Sequence, residues 1–368
     1  MSQLLGRIGK LSKQRVTCLS ELRSFSSTAA TPYLLLNESN LRETTATGNE
    51  MVVDMNLYDP RKEERVKIPD QALLKELQWS QKIGSSKGWL GLKERSSKST
   101  VRLTNIYNPC ASVSSHKVIT LPPLDDSVSS ISLSASPNQQ DCVVAAKSSS
   151  PFISLCRPGD SDWTRIKVPF NASRVSYSVR ESKFYLHRAS EKEYEGPIDL
   201  RTTCSDFPQV NVFQRFPNSD MPQSRQDQLI STMKIQYLVE SPSGDSFIVY
   251  WCDEFSDRGK VESSHGKRPY RSISSRRRKP RAFVVFRQDP EQRIGSYTED
   301  IGDLCIFLGN SEAFCVSAAE YPGLNPNSVY YAGLLTGFGY YDLSSNTLHD
   351  VIDPPPFSGA YLWLAPLQ

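Results

Sequence analysis

The chain has 368 residues, 43 of them basic and 40 acidic, for a formal net charge of +3. That length suits two domains or one large all-β unit, and the ordinary apolar content allows a substantial core. No run is long and apolar enough for a membrane span, and so small a net charge gives no argument for global nucleic-acid binding.

Residues 1–23, MSQLLGRIGKLSKQRVTCLSELR, carry Arg7, Lys10, Lys13, Arg15 and Arg23 against a single acid, Glu21. Leu4, Leu5, Ile8, Leu11 and Leu19 recur at helical spacing, giving one oily and one basic face. That is the composition of an organellar transit peptide; a basic amphipathic surface helix is the alternative. Arg23-Ser24-Phe25-Ser26 resembles a matrix-processing site, with cleavage between Phe25 and Ser26. The expected division is a disordered transit peptide over 1–30 and a single folded domain over 31–368. The expected address is the mitochondrial matrix, with a plastid or dual address as the alternative. Without the first 23 residues the charge balance falls to −1.

From Tyr33 onward the chain reads as short strands rich in Val, Ile, Tyr and Phe and bounded by turn residues: EMVVDMNLY, VRLTNIY, HKVITLP, SSISLSA, FISLC, RVSYSV, KFYLHR, SFIVYWCDE, RAFVVFRQD, SVYYAG and others. SPSGD at 241–245 predicts a hairpin turn. One helix is predicted near Gln71–Ile83, after Pro69-Asp70 as a start signal. So many strands with so few helices indicate a sandwich, a barrel or a propeller.

Repetition separates these. A strand, a polar turn with Asp, Asn or Pro, and a basic-apolar strand recur in LYDPRKEERVKIP from 57, IYNPCASVSSHKVITLP from 106 and LCRPGDSDWTRIKVPF from 155, 49 residues apart. The phrase returns in VFRQDPEQRIGSYTEDIGD from 285 and GYYDLSSNTLHDVIDPP from 339, with a degenerate copy at PIDLRTT from 197. A period of roughly 40–50 residues holding about four strands predicts an all-β propeller of roughly six blades. Apolar strands at both ends, Tyr33-Leu34-Leu35-Leu36 and Ala360-Tyr361-Leu362-Trp363-Leu364, predict that the ring closes by pairing the chain termini in the same or adjacent sheets, with Trp363 buried.

The search for chemistry yields little. Eight Cys are scattered without a C-x-x-C, which suits a reducing compartment and packed thiols. The four His have no zinc-like spacing with them. There is no G-x-S-x-G, H-E-x-x-H or P-loop. Asp125-Asp126 and Glu299-Asp300 read as solvated turns, Gly337-Phe338-Gly339 as relief for a blade strand, and His187 as a packed or surface residue. No catalytic residue, cofactor or metal is predicted, although residues gathered from several blades would escape a motif search.

The conspicuous local feature is residues 258–281, RGKVESSHGKRPYRSISSRRRKPR. Besides Arg258 and Lys260 it holds Lys267, Arg268, Arg271, Arg276, Arg277, Arg278, Lys279 and Arg281, against Glu262 alone. Without apolar periodicity and between two strands, it reads as a long, disordered loop. The rest of the mature chain carries −10. Three readings stand: the loop folds over its own acidic body, it contacts organellar nucleic acid through phosphates, or it meets a protein partner or an import receptor.

SSKGWLGL (85–92), NPCASVSSHKVITLPPL (108–124) and IGDLCIFLGNSEAFCVSAAEYPGLNPNSVYY (301–331) resemble the plant KIB-type propeller family, also called domain of unknown function 295 and found in F-box/kelch-like proteins. The resemblance covers most of residues 33–343 and implies a kelch-like propeller. Many relatives carry an N-terminal F-box that docks a ubiquitin-ligase core. The roughly 32 residues before the first strand here do not fit an F-box, which disfavours the ligase role and points to an organellar branch. The expected function is a non-catalytic protein-interaction module with an unknown organellar protein as partner; the alternative is a nucleic-acid-associated protein using the basic loop.

Overall fold

The computed structural model describes residues 31–43, 50–95, 99–168, 170, 172–188, 207–212, 220–255, 278–289, 291–292, 294–333, 336–351 and 361–367. Its strands form six sheets arranged as the blades of a β-propeller. Blade 1 takes β1 (Tyr33–Glu43), β2 (Glu50–Asp59) and β3 (Glu64–Leu74) from the start of the chain and β24 (Leu362–Leu364) from its end. Blade 2 is β4 (Gln81–Ser86), β5 (Trp89–Lys93), β6 (Thr100–Thr104) and β7 (Val118–Pro123). Blade 3 is β8 (Val128–Leu133), β9 (Val144–Ser148), β10 (Phe152–Cys156) and β11 (Thr164–Lys167). Among the described residues blade 4 has three strands, β12 (Ala172–Ser178), β13 (Lys183–Arg188) and the short β14 (Val210–Val212), which runs parallel to β13.

Blade 5 follows a helix, α1 (Gln223–Ser231), and comprises β15 (Met233–Glu240), β16 (Ser246–Phe255), β17 (Arg278–Asp289) and β18 (Ile294–Thr298). Blade 6 has five strands: β19 (Leu304–Leu308), β20 (Phe314–Ser317), β21 (Ser328–Gly333), β22 (Gly337–Asp342) and β23 (Thr347–Asp350). All five turn phrases fall between strands of one blade, at β2–β3, β6–β7, β10–β11, β17–β18 and β22–β23. The weaker copy at 197 lies outside the described residues. SPSGD is the β15–β16 turn, closed by Gly244 N–H to the Ser241 carbonyl at 3.0 Å and by Ser241 N–H to the Asp245 carbonyl at 2.8 Å.

The expected closure is present. Tyr33, Leu34 and Leu35 pair antiparallel with Leu364, Trp363 and Leu362. Side chains alternate along a strand, so β24 serves both neighbours. Leu362 and Leu364 join Leu35, Leu57, Leu90 and Leu92 toward blade 2, whereas Trp363 joins Leu34, Leu36, Phe307 and Tyr330 toward blade 6. Trp363 is 1% exposed and its indole N–H donates to the Leu308 carbonyl at 3.1 Å.

The helix expected at Gln71–Ile83 is absent. Residues 64–74 are β3, followed by a single 3-10 turn, Lys75–Leu77, and then β4. Pro69-Asp70 is a bulge in the pairing with β2, where the register slips between Val53 and Met55 and Asp70 takes φ +55°. Gln71–Leu74 then pair with Glu50–Val53. Pairing with β2 overrides the local helix signal. The one α-helix among the described residues, α1, is polar and has no side-chain cap, so the sequence offered no start signal for it.

Apolar clusters seal five of the six blade-to-blade seams. One joins blades 1 and 2, one blades 2 and 3, one blades 3 and 4, one blades 5 and 6 and one blades 6 and 1. Each fully buried Val, Leu or Phe in them contributes about 1.5–3 kcal/mol. Among the described residues no cluster joins blades 4 and 5. The exposed side of blade 5 is instead covered by α1, with Leu229 against Ile248, Tyr250, Val284 and Phe286.

Candidate functional site: the polar seam at the propeller axis

The alternation within blade 4 explains its unusual seam. In β12 and β13, Val175, Phe184 and Leu186 point into the cluster shared with blade 3. The intervening residues Arg174, Ser176, Ser178, Tyr185 and His187 take the opposite face. Ser176 and His187 meet there, Oγ to Nε2, at 2.8 Å. Burial, reinforced by the nearby Arg174 charge, lowers the His187 pKa to about 3, so the imidazole is neutral. Ser178 donates to the Glu240 carboxylate at the end of β15, which also accepts from Val179 N–H at 2.9 Å. Beside these contacts Val179 is 62% exposed.

The register of β12 against β13 slips between Ala172 and Arg174. Such a bulge re-aims the next side chain. Arg174 reaches across the axis, donating from Nη1 to the Gly309 carbonyl at 2.8 Å with its guanidinium carbon 4.5 Å from the Tyr237 ring centroid. A cation over an aromatic face is attracted by the ring quadrupole.

Gly309 opens the turn between β19 and β20, and this turn plugs the axis. Glu312, at its tip, accepts from Ser132 Oγ of blade 3 at 2.6 Å, from Tyr177 N–H of blade 4 at 2.8 Å and from Ser86 Oγ of blade 2. Its own N–H donates to the Ser85 carbonyl at 2.8 Å. One carboxyl thus ties blade 6 to three others. Desolvation raises its pKa despite these bonds. The partners sit near the C-terminal ends of β4, β8 and β12, so these inner strands all run toward this end of the ring. A small cavity opens beside the plug, lined by Ser130, Arg174, Ser176, His187, Tyr237 and Glu312 among others.

The three phrases singled out in the sequence meet at this end. In SSKGWLGL, Lys87 (φ +49°) and Gly88 (φ +80°) form the β4–β5 turn, and a Cβ at Gly88 would lie 2.9 Å from the Ala365 carbonyl. Asn108, of the Asn-Pro phrase, donates to the carbonyls of Gly88 at 3.2 Å and Ala365 at 3.0 Å. From the third phrase, Ser311 Oγ donates to the Trp363 carbonyl at 2.9 Å, which Ser85 Oγ also reaches. The motifs are therefore the joint at which the ring closes and the plug seats.

The other residues named from the sequence lie elsewhere. Arg23, Phe25 and Ser26 fall outside the described residues, as do Lys267, Arg268, Arg271, Arg276 and Arg277. Arg278, Lys279 and Arg281 belong to β17, not to a loop: Phe255 pairs with Arg278, Glu254 with Lys279 and Asp253 with Pro280. The sheet continues into the basic stretch because Trp251–Phe255 on β16 supplies a paired edge. Asp126 is held by Arg165, and Glu299 bonds Tyr297 and, at 3.1 Å, Arg225 of α1, so neither is a free turn carboxylate. His187 is packed, 2% exposed. At Gly339 a Cβ would press on the His349 carbonyl and the Tyr331 hydroxyl, the relief expected of that glycine.

Arg174, Ser130 and Glu312 had no motif to announce them. The one available signal was the polar alternation in ASRVSYS and KFYLHR, which reads as a strand pair with one face left out of the apolar core. Among the described residues, no group of three His, Cys, Asp or Glu could hold a metal ion, and no helix is long and apolar enough to cross a membrane.

No curated protein matches the chain. Among solved structures it is similar to the extracellular domain of the putative one component system BT4673 from B. thetaiotaomicron, at 11% identity and a TM-score of 0.24, covering 84% of this chain and 41% of that one. The model of the KIB1-4 beta-propeller family matches residues 55–354, which takes in all three motif phrases and nearly every strand of the six blades. The chain is a member of the KIB1-4 beta-propeller family.

Proposed function

We propose that the chain is a non-catalytic protein-interaction propeller of the mitochondrial matrix, and that it takes its partner at the plugged end of the axis, over the seam between blades 4 and 5. The observation that carries this reading is the contrast among the seams. Five are closed by apolar clusters and the sixth presents Arg174, Ser176, His187 and Glu240 beside an exposed Val179. An apolar anchor ringed by satisfied polar groups is the anatomy of a recognition patch. The address rests on the basic amphipathic segment ending at Arg23-Ser24-Phe25-Ser26.

The test is affinity capture of the tagged protein from isolated mitochondria, with and without RNase. A discrete protein partner that survives RNase supports the reading. Loss of every partner on RNase treatment supports the second reading, in which the basic stretch between β16 and β17 holds organellar nucleic acid. That alternative is favoured by the charge asymmetry alone: ten basic residues in 258–281 against a remainder of −10.

A further inference from the structure

We propose that the axial cavity is a binding site for a carboxylate, held by the Arg174 guanidinium and the Ser130 hydroxyl. The inference concerns the cavity itself and stands whether or not a protein partner covers it. Arg174 spends one N–H on the Gly309 carbonyl and sets its guanidinium carbon over the Tyr237 ring. Among the described residues its Nε and Nη2 groups have no protein acceptor and no carboxylate lies within ion-pair distance. Ser130 Oγ accepts from Val175 N–H, one residue along from Arg174, at 3.0 Å. That bond uses a lone pair and leaves the hydroxyl proton, which has no acceptor among the described residues, free to turn into the cavity.

The surroundings select the ligand's charge. His187 is neutral and engaged with Ser176. Glu312 is saturated by donors from blades 2, 3 and 4, so it has no acceptor capacity turned to Arg174, and burial raises its pKa against the pull of those donors. The cavity therefore holds one guanidinium with no counter-charge in contact, and donors that outnumber acceptors. Arg174 is only partly buried, and a planar acceptor-only anion matches the fork of its guanidinium. The cavity is small, so the group bound is a single carboxylate, from a free short-chain acid or from the tip of a larger molecule. The bulge before Arg174 explains the arrangement: without it the side chain would keep the regular alternation of β12 and stay on the blade face.

The probe is formate, the smallest carboxylate. Titrating formate at constant ionic strength into the intact protein should shift the Arg174 Nε–H resonance in a 1H–15N spectrum, with saturation. Arg174→Gln should weaken formate binding by at least about tenfold, and Ser130→Ala by several-fold, with circular dichroism unchanged. Arg174→Lys, which keeps the charge but loses the fork, should fall between wild type and Arg174→Gln. Acetate and propionate competing with formate would point to a small acid as the natural occupant. Formate alone binding would point to a site sized for a carboxylate tip. An Arg174 resonance indifferent to formate in the wild-type protein overturns the proposal, as does equal formate binding by folded Ser130→Ala. Neither outcome bears on whether a protein partner is captured from mitochondria.

Discussion

Replacing Trp363 with alanine removes the side chain on which ring closure depends. The indole is 1% exposed and packs edge-on to Phe307 at 4.9 Å and to Tyr330 at 6.3 Å between centroids. A buried Trp→Ala change costs about 3–5 kcal/mol in lost transfer energy and residual cavity. The Leu308 carbonyl also loses its donor, at about 1 kcal/mol. Against a total stability on the order of 5–15 kcal/mol, that is a large fraction. With about 2–4 °C per kcal/mol for domains of 150–250 residues, and less for a larger ring, the midpoint should fall by roughly 5–15 °C. The assay is thermal and urea unfolding followed by circular dichroism. Trp79→Ala is the internal control, because Trp79 is 74% exposed and should change stability by less than about 0.5 kcal/mol. If Trp363→Ala unfolds with wild-type stability, or if the two tryptophans behave alike, closure through β24 is not what holds the ring.

Truncation after Pro356 should go further and yield an aggregating chain, since it deletes all of β24 and leaves β1 as an unpaired inner edge; a soluble, equally stable truncation would refute closure. His187 should set part of the acid limb of stability. Its native pKa of about 3 lies below the ordinary value of 6.5, so the unfolded chain takes up a proton that the native ring refuses. Stability is then full above pH 6.5 and falls as the pH drops toward 3, by up to about 1.4 kcal/mol per unit. His187→Gln should lack that component in urea titrations across this range. Glu312 has the opposite sign: its raised pKa means stability lost as the pH rises through the native value. Glu312→Gln should therefore gain on the wild type with rising pH, whereas Glu312→Ala, which strands Ser86, Ser132 and Tyr177 N–H, should lose at least about 2 kcal/mol at every pH. Residues 1–40 fused to a fluorescent protein should enter mitochondria, and Arg23→Ala should slow processing without blocking import; a cytosolic fusion would overturn the address.

The repeat of polar turns between basic-apolar strands was legible because it marks a strand-to-strand turn in five of the six blades. Closure was legible because the terminal segments are apolar strands with no other place to go. The helix at 71–83 misled, because Leu73, Leu74 and Leu77 have helical spacing while Asp70 sits in a left-handed bulge that only pairing with β2 can impose. The reach of the paired strand into Arg278–Arg281 was hidden by charge, which local reading assigns to solvent. The axial site was the least legible part. Arg174, Ser130 and Glu312 come from three blades separated by 44 and 138 residues of chain, and closing the ring brings them to one cavity. Nothing in a linear spacing records that distance collapsing.

The central claim is that a partner is read at the plugged end of the axis, over the seam of blades 4 and 5. Site-specific photo-crosslinking in isolated mitochondria tests it most directly. A photoreactive amino acid at Val179, exposed beside Glu240, is compared with one at Ile294, 43% exposed on the outer strand of blade 5. The account predicts one discrete protein adduct from position 179, insensitive to RNase, and none from position 294. Adducts from 294 with none from 179, or an RNase-sensitive adduct alone, would contradict it.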